Sequence, residues 1–431
     1  MHALRVLRFL APYKGHVALA ALCVFVSGAA AMSMPQIVRW AIDYGLGIER
    51  RNGELVATGE KHLLVVAALA VVGAAVVRGA FAYGQTFLGE WISQRVAFDI
   101  RNRIYDRLQR LSYAYHDRQQ TGQLMSRATQ DVEAVRWYVA MGVLRGVYIV
   151  LLLGAVLALM LATNWRLALV SWAFLPLIAW RSTVMALRLR PLWQSVQEGL
   201  ARLTTVLQEA LTGARVVKAF AREEHESARF RREAEAVFAS SYQSSRIQAA
   251  NSPLMTGLWL GAIAATLWVG GHEVANGALR VGELTSFLLY LMVLQMPVRA
   301  LGWIVMILAR ANAAGQRIYE ILDAESAVKE KPGAIELRDV KGHVRFEDVS
   351  FSYDSISPVL RRVDIEARPG EVIALMGPTG SGKTTVVNLM PRFYDVTGGR
   401  ITIDGVDIRD VTIASLRRAI GTVQQDVFLF S

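Results

Sequence analysis

Cysteine and charged residues are both scarce in this sequence of 431 residues. The single cysteine, Cys23, excludes a disulfide framework and any zinc or iron–sulfur site built from several thiolates, and we interpret it as a small apolar packing residue. The seven histidines never stand three to five positions apart, which excludes a paired-histidine metal motif. Charged residues make up 19% of the chain, against about 25% in soluble domains, so part of the chain has too little charge for a surface in water.

Apolar residues make up 53% of the chain, which excludes global disorder, and many of them fall into six long runs. Each run has about 20 residues or more, the length that a helix needs to cross about 30 Å of hydrocarbon. We therefore predict six transmembrane helices; the alternative is a soluble enzyme with an unusually apolar first domain. The runs are His16–Pro35, Leu63–Leu88, Val139–Ala162, Leu167–Leu187, Leu254–Val274 and Leu284–Leu308.

Much of the net charge of +11 lies in the two long connections between these runs. Eight arginines lie between Arg95 and Arg136, and nine arginines and Lys218 lie between Arg188 and Arg246. Because basic residues stay on the cytoplasmic side of a membrane, we expect both long connections and both termini in the cytoplasm of a multi-pass protein of the cell membrane. The position of the chain in the membrane then explains much of the positive charge, and we expect no nucleic-acid partner.

The composition changes after Leu308. We predict an all-α transmembrane domain over residues 1–322, a linker over 323–342, and an α/β phosphate-loop domain over 343–431 that is incomplete. In the last domain we predict a helix at Thr385–Phe393. Strands are predicted at His343–Tyr353, Glu371–Met376, Ile401–Ile403 and Ile420–Val423. Helical periodicity also continues through Phe98–Leu111 and Arg202–Phe220 in the long connections.

The strongest motif is a phosphate-binding loop between a predicted strand and a predicted helix. It reads Gly377-Pro378-Thr379-Gly380-Ser381-Gly382-Lys383-Thr384 and is followed by Thr385. Its glycines let the backbone wrap phosphate oxygens, and the N–H groups at the start of the helix favour anions. Lys383 is expected to reach the β- and γ-phosphates, and the hydroxyl of Thr384 is expected to ligate Mg²⁺.

Further segments fit one known family. The patterns at Phe346–Tyr353, Asp404–Ile408 and Val423–Phe430, together with the phosphate loop, resemble the nucleotide-binding domain of ABC transporters. The six apolar runs resemble the membrane domain of the exporter-type members. Tyr353 alone predicts little, because an aromatic residue at the end of a strand usually belongs to the core or its rim.

The resemblance implies roles for particular residues. Tyr353 matches the aromatic residue that stacks on the adenine of ATP. Gln425 matches a glutamine that approaches Mg²⁺ and the attacking water, so it is our candidate catalytic residue and a second metal ligand beside Thr384. The tips at Tyr115–Gln120 and Val216–Arg222 match the coupling helices that press on nucleotide-binding domains. We therefore expect ATP and Mg²⁺ as cofactors.

The resemblance also implies a half-transporter that forms a homodimer or heterodimer, contacts membrane lipid and exports a small hydrophobic or amphipathic substrate. Members of the family continue beyond this point with an ABC signature, a Walker B strand and a switch histidine, and none of these is present here. We therefore expect a C-terminally truncated chain that does not hydrolyse ATP by itself. The alternative is a non-catalytic, nucleotide-binding membrane partner of a full-length half-transporter.

Four arginines lie within or near the apolar runs: Arg78, Arg145, Arg181 and Arg299. A charge at such a position faces a cavity, a partner or the membrane interface. Two interpretations remain open for them. They either snorkel to the interface or pair between helices, or they line a path for the substrate.

Overall fold

A computed structural model describes residues 2–51, 54–57, 59–354 and 357–423. The chain divides into two compact units, which we describe separately. The first unit contains Met1–Val6, Ala97–Val135 and Asn312–Ser431, and the second contains Leu7–Val96 and Arg136–Ala311.

Six helical stretches are long and apolar enough to cross a membrane, as the apolar runs predicted. They are His2–Leu46, Lys61–Arg110, Thr121–Thr163, Trp165–Thr212, Glu223–Ala275 and Val281–Leu322. Each stretch is longer than the apolar run inside it, because the polar flanking residues continue the helix. This is a multi-pass membrane architecture, and the predicted six-helix domain is confirmed.

Within these stretches the helix changes its winding at several places. The α-helical segments are α1 (His2–Val6), α2 (Lys14–Trp40), α3 (Lys61–Arg110), α4 (Tyr113–Asp117), α5 (Thr121–Ser126), α6 (Val132–Trp137), α7 (Arg145–Thr163), α8 (Trp165–Thr212), α9 (Ala214–Ala219), α10 (Glu223–Ala275) and α11 (Val281–Leu322). A 3₁₀-helix covers Leu7–Tyr13, and π-helical turns cover Ala41–Leu46, Arg127–Asp131 and Tyr138–Leu144. A short hairpin of β1 (Ile48–Arg51) and β2 (Glu54–Ala57) precedes α3.

The second unit packs α7, α8, α10 and α11 around a core that includes Met160, Phe287 and Leu294. Inside this core the Ser171 and Thr266 hydroxyls lie 2.9 Å apart and join α8 to α10. Such a hydrogen bond suits a bilayer, where a lone hydroxyl has no water to bond. The outer helix faces carry large exposed apolar side chains such as Leu69 and Val150, as expected for a surface covered by lipid.

The first unit contains a four-stranded antiparallel sheet in the order β4-β3-β5-β6. Its strands are β3 (Val344–Phe351), β4 (Leu360–Ala367), β5 (Gly398–Ile403) and β6 (Val406–Asp407), and α12 (Lys383–Leu389) and α13 (Ile413–Arg418) are its helices. The register of β3 shifts between Phe346 and Val349, so these two side chains, three positions apart, are both buried and meet Ile401, Leu389 and Leu416 in one core.

Two of the four predicted strands are wrong. Glu371–Met376 has no strand and is exposed, with Val372 at 93% and Met376 at 92% of their full accessible surface. Ile420–Val423 has no strand either. An apolar run indicates burial, but a strand also needs a hydrogen-bonding neighbour, and among the described residues neither segment pairs with one. The predicted helix at Thr385–Phe393 begins two residues earlier, at Lys383, and ends at Leu389.

The segment predicted as a linker, 323–342, lies along the sheet unit without a regular strand of its own. Ile335 forms an isolated bridge to Val411, and the backbone N–H of Leu337 donates to the hydroxyl of Ser415 at 3.0 Å. Arg392 donates to the carbonyl oxygen of Lys329 at 3.0 Å. These contacts bind the segment to the surface of the sheet unit.

Candidate nucleotide site and membrane cavity

The phosphate loop is shaped by glycines whose φ angles suit no other residue. Gly380 and Gly382 have φ of +85° and +90°, values that cost strain for any residue with a Cβ. A Cβ at Gly382 would also lie 2.8 Å from Cδ2 of Leu360, which is too close. The loop therefore turns sharply and then enters α12 at Lys383.

Lys383 directs its ammonium group back into this loop. Its Nζ donates to the carbonyl oxygens of Gly377 and Pro378, each at 2.8 Å, and lies 3.4 Å from the hydroxyl of Ser381. The next residue, Thr384, is exposed, whereas Thr385 is buried. One positive charge and one accessible hydroxyl thus stand side by side at the loop, as a phosphate–magnesium site requires.

Tyr353 follows the end of β3 and retains 42% of its accessible surface. Its hydroxyl and that of Thr385 lie 3.1 Å apart. Phe351 and Tyr394 contact its ring edge-on, with centroids 4.8 and 5.1 Å away. The ring is thus held in a fixed orientation and still has accessible surface for a base. This accessible ring, the ammonium of Lys383 held by loop carbonyl oxygens and the accessible hydroxyl of Thr384 together fit ATP with Mg²⁺.

The remaining predicted site residue is Gln425, the candidate catalytic residue and metal ligand. It lies outside the described residues. Its role therefore stays a prediction.

The first unit also contains a contact between the tip of the first long connection and the sheet unit, and the sequence analysis did not name the sheet-unit residues that make it. Tyr113 of α4 stacks on Phe393 with ring centroids 4.3 Å apart, and the hydroxyl of Tyr394 donates to Oδ2 of Asp117 at 2.5 Å. The guanidinium of Arg417 lies 5.1 Å from the centroid of Phe393. The signal in the sequence is the Phe393-Tyr394 pair after the phosphate-loop helix, matched by Tyr113 at the tip of the first long connection.

The electrostatics of this contact follow from its burial. Burial raises the pKa of Tyr394 far above its ordinary value, and the hydrogen bond to the carboxylate of Asp117 raises it further. Burial also lowers the pKa of Arg417. Tyr394 has left water to make this contact, whereas Arg417 stays exposed at its edge. The contact is therefore part of the folded unit.

The second unit has a cavity of about 500 Å³ between the membrane helices. Its wall combines apolar residues such as Met292 and Met296 with Gln85 and two arginines, Arg78 and Arg145. The wall also contains the carboxylate of Glu90, which pairs with Arg136 at 2.9 Å. Among the described residues, neither Arg78 nor Arg145 forms an ion pair. Of the other two arginines singled out above, Arg181 is not part of this wall, and the side chain of Arg299 lies outside the described residues.

Six spanning helices and a phosphate loop in one chain define a membrane protein that uses a nucleotide. The family model described as "ABC transporter transmembrane region" matches residues 17–298, and the model described as "ABC transporter" matches residues 360–431. The chain belongs to the ABC transporters, and its organisation is that of an exporter-type half-transporter.

Named relatives cover almost the whole chain. It is 35% identical over 99% of its length to the ATP-dependent lipid A-core flippase of Syntrophus aciditrophicus and covers 69% of that protein. It is 34% identical over 88% of its length to the uncharacterized ABC transporter ATP-binding protein YknU of Bacillus subtilis and covers 65% of it. It is 32% identical over 99% of its length to the ATP-dependent lipid A-core flippase of Thiobacillus denitrificans and covers 72% of it. The chain thus spans about two thirds of the length of these relatives.

Proposed function

We propose that this chain is the ATP-binding, membrane-spanning subunit of an exporter, and that ATP binding and hydrolysis in the complete protein drive the transfer of an anionic amphipathic lipid across the membrane. The observation that carries the proposal is the union, in one chain, of the loop Gly377–Thr384 with six helices of membrane-spanning length. The simplest function for a nucleotide-binding domain joined to a bundle of membrane helices is transport across the membrane.

For the nucleotide, Tyr353 supplies the surface on which adenine stacks, and Lys383 exchanges its loop carbonyls for oxygens of the β- and γ-phosphates. The hydroxyl of Thr384 and the side chain of Gln425 are the proposed ligands of Mg²⁺, which offsets the negative charge of the phosphates. Gln425 also orients the attacking water. The backbone N–H groups of residues 377–385 hold the phosphate oxygens.

The substrate class follows from the cavity wall. An arginine at membrane depth is costly unless it faces water, a counter-charge or a ligand. Arg78 and Arg145 line the same cavity, where the carboxylate of Glu90 is already paired with Arg136. A negatively charged headgroup would provide a counter-charge for the two arginines. Met292, Met296 and Tyr148 provide apolar wall for an acyl chain. The naming of two relatives as lipid A-core flippases agrees with such a substrate.

The tip of the second long connection supports a dimer. Leu211, Val216 and Phe220 around α9 expose 69%, 60% and 73% of their surfaces. Such apolar groups at the end of a long polar hairpin favour a protein partner. We infer that another half-transporter, identical or related, covers this tip. The basic residues of the long connections favour a cytoplasmic position for the tip, the sheet unit and both termini, with the helices in the cell membrane.

Nucleotide binding tests the first part of the proposal. Purified protein is titrated with fluorescent mant-ATP and Mg²⁺, and Lys383→Ala is expected to weaken binding at least tenfold because one ammonium–phosphate contact is lost. The matched control is Lys341→Ala, which removes an exposed lysine far along the sequence from the loop. No saturable binding by the unaltered protein, or equal binding by Lys383→Ala, contradicts the proposal.

Lipid binding tests the substrate class separately. The protein in detergent is titrated with a fluorescent phosphatidylglycerol and with the matching phosphatidylcholine. We expect tighter binding of the anionic lipid, and we expect Arg78→Ala together with Arg145→Ala to remove that preference, whereas Arg166→Ala, an exposed arginine outside the cavity, keeps it. Equal affinity for both lipids contradicts an anionic substrate.

ATPase assays of this chain, alone and with a full-length half-transporter, then separate a catalytic subunit from a non-catalytic partner.

A further inference from the structure

One side chain in the first unit contacts both the proposed adenine-stacking residue and α4, the short helix at the tip of the first long connection. Tyr394 packs the edge of its ring against Tyr353, with centroids 5.1 Å apart and planes at 89°. Its hydroxyl donates to the carboxylate of Asp117 in α4. Only 9% of Tyr394 is exposed, so neither its ring nor its hydroxyl can reorient without disturbing both neighbours.

Tyr353 is also held by a residue that follows the phosphate loop. Its hydroxyl meets that of Thr385, which is buried and lies directly after the proposed magnesium ligand Thr384. A chain of contacts therefore runs from Thr385 through Tyr353 and Tyr394 to Asp117. Every step is a hydrogen bond or an edge-to-face ring contact, and both depend strongly on orientation.

The other contacts of α4 with the sheet unit are of a different kind. Tyr113 stacks on Phe393 and lies tilted against the ring of Tyr394, with centroids 6.4 Å apart, and Ala114 packs at the margin of the core that contains Leu389 and Leu416. These contacts hold the helix against the sheet unit, but among the described residues neither Phe393 nor Ala114 has a ring contact or hydrogen bond with Tyr353. Tyr394 is thus the residue through which a change at Tyr353 reaches α4.

We propose that Tyr394 is a positioning residue that transmits occupancy of the nucleotide site to α4, by holding Asp117 more firmly when Tyr353 is fixed. The inference rests on the proposed function, because it takes ATP as the ligand of Tyr353 and the phosphate loop. A base stacked on Tyr353 and phosphates held by the loop restrict Tyr353 from two sides. Tyr394, which packs against that ring, then keeps its hydroxyl on Asp117 for more of the time.

The test is amide hydrogen exchange of residues 113–123 in the full chain in lipid nanodiscs, with and without saturating ATP and Mg²⁺. In the unaltered protein, ATP is expected to slow exchange in this segment about three- to tenfold, the range expected when one hydrogen bond becomes persistent. Tyr394→Phe keeps the ring and removes only the hydroxyl. It is expected to lose this ATP-dependent protection while its affinity for mant-ATP stays within about twofold of the unaltered protein.

Three further variants separate positioning from general stability. Asp117→Asn keeps an oxygen acceptor and is expected to retain most of the protection, whereas Asp117→Ala is expected to lose it. Tyr105→Phe removes the hydroxyl of an exposed tyrosine on α3 and is expected to behave like the unaltered protein. If Tyr394→Phe retains the full ATP-dependent protection, or if ATP binds without changing exchange at 113–123, the inference is wrong. Failure of the unaltered protein to bind ATP overturns the proposed function as well.

Discussion

Arg39, near the end of α2, donates to Glu283 in the first turn of α11, with Nη2 and Oε1 2.6 Å apart. The same arginine lies 3.7 Å from Asp43, whose carboxylate accepts the backbone N–H of Gly282 at 2.9 Å. The Arg39, Glu283 and Asp43 side chains are partly to largely buried, so solvent screens the pair only weakly. The ends of two membrane helices are therefore joined by charge as well as by packing.

The first prediction concerns this pair. Arg39→Ala leaves two carboxylates without their shared partner in a poorly hydrated place, so we expect the free energy of unfolding to fall by about 1–3 kcal/mol. Thermal unfolding of the purified protein in detergent measures the effect. The exchanged variant, Arg39→Glu with Glu283→Arg, is expected to recover part of the loss. Arg166→Ala serves as control, and a melting temperature for Arg39→Ala equal to that of the control would refute the role of the pair.

The second prediction separates strain from function in the phosphate loop. Gly382→Ala forces a Cβ onto a residue with φ of +90° and against Leu360, so we expect a loss of stability of about 2–3 kcal/mol together with a loss of ATP binding. Gly405→Ala is the matched control, because Gly405 has φ of +82° with open space around it. We expect about 1–2 kcal/mol of destabilisation there and unchanged ATP affinity. Equal effects of both variants on ATP binding would contradict the proposed loop function.

The membrane half of the fold could be predicted from the sequence far better than the sheet unit. Apolar runs of 20 residues have one structural solution in a bilayer, because each backbone group must find its partner within the helix. Glu371–Met376 had no such constraint: its apolar pattern predicted a buried strand, yet among the described residues it has no ladder partner. Pairing is decided by residues distant in the sequence, which local pattern does not register.

The candidate site likewise has one part that could be predicted from the sequence and another that could not. The phosphate loop is contiguous, so Gly377–Thr384 could be predicted as a unit from its spacing alone. The contact of Tyr394 with Asp117 joins residues 277 positions apart, and neither residue stands out by type. Tyr353 gained a role only from the family resemblance, and its hydrogen bond to Thr385 could not be predicted from either segment.

The third prediction concerns the fork between Arg317 and Asp131. The Nε of Arg317 lies 2.8 Å from Oδ2 of Asp131, and its Nη2 binds the other carboxylate oxygen, so α11 is tied to the π-helical turn at Arg127–Asp131. Arg317→Lys keeps the charge but cannot form both bonds, and we expect about 1–2 kcal/mol of lost stability. Arg338→Lys, on an exposed arginine, should change less than about 0.5 kcal/mol in the same thermal assay. If Arg317→Lys and Arg338→Lys have the same melting temperature, the paired hydrogen bonds of Arg317 contribute no stability beyond that of its charge.

The last prediction is a pH dependence set by Tyr394. Burial and the neighbouring Asp117 raise its pKa in the folded state above the ordinary value of about 10, and Tyr353 and Tyr113 also face it. A group with a raised folded pKa contributes stability that is complete below the unfolded pKa and is lost as pH rises through the folded one. Above about pH 10 the unaltered protein should therefore lose stability faster than Tyr394→Phe, by up to about 1.4 kcal/mol per pH unit. Denaturant titration between pH 8 and pH 11 measures the free energy of unfolding, and we expect the curves of the unaltered protein and Tyr394→Phe against pH to converge or cross. The curve of the control, Tyr105→Phe, should run parallel to that of the unaltered protein. If the curve of Tyr394→Phe is also parallel to it, the hydroxyl of Tyr394 ionises as freely in the folded chain as in the unfolded one.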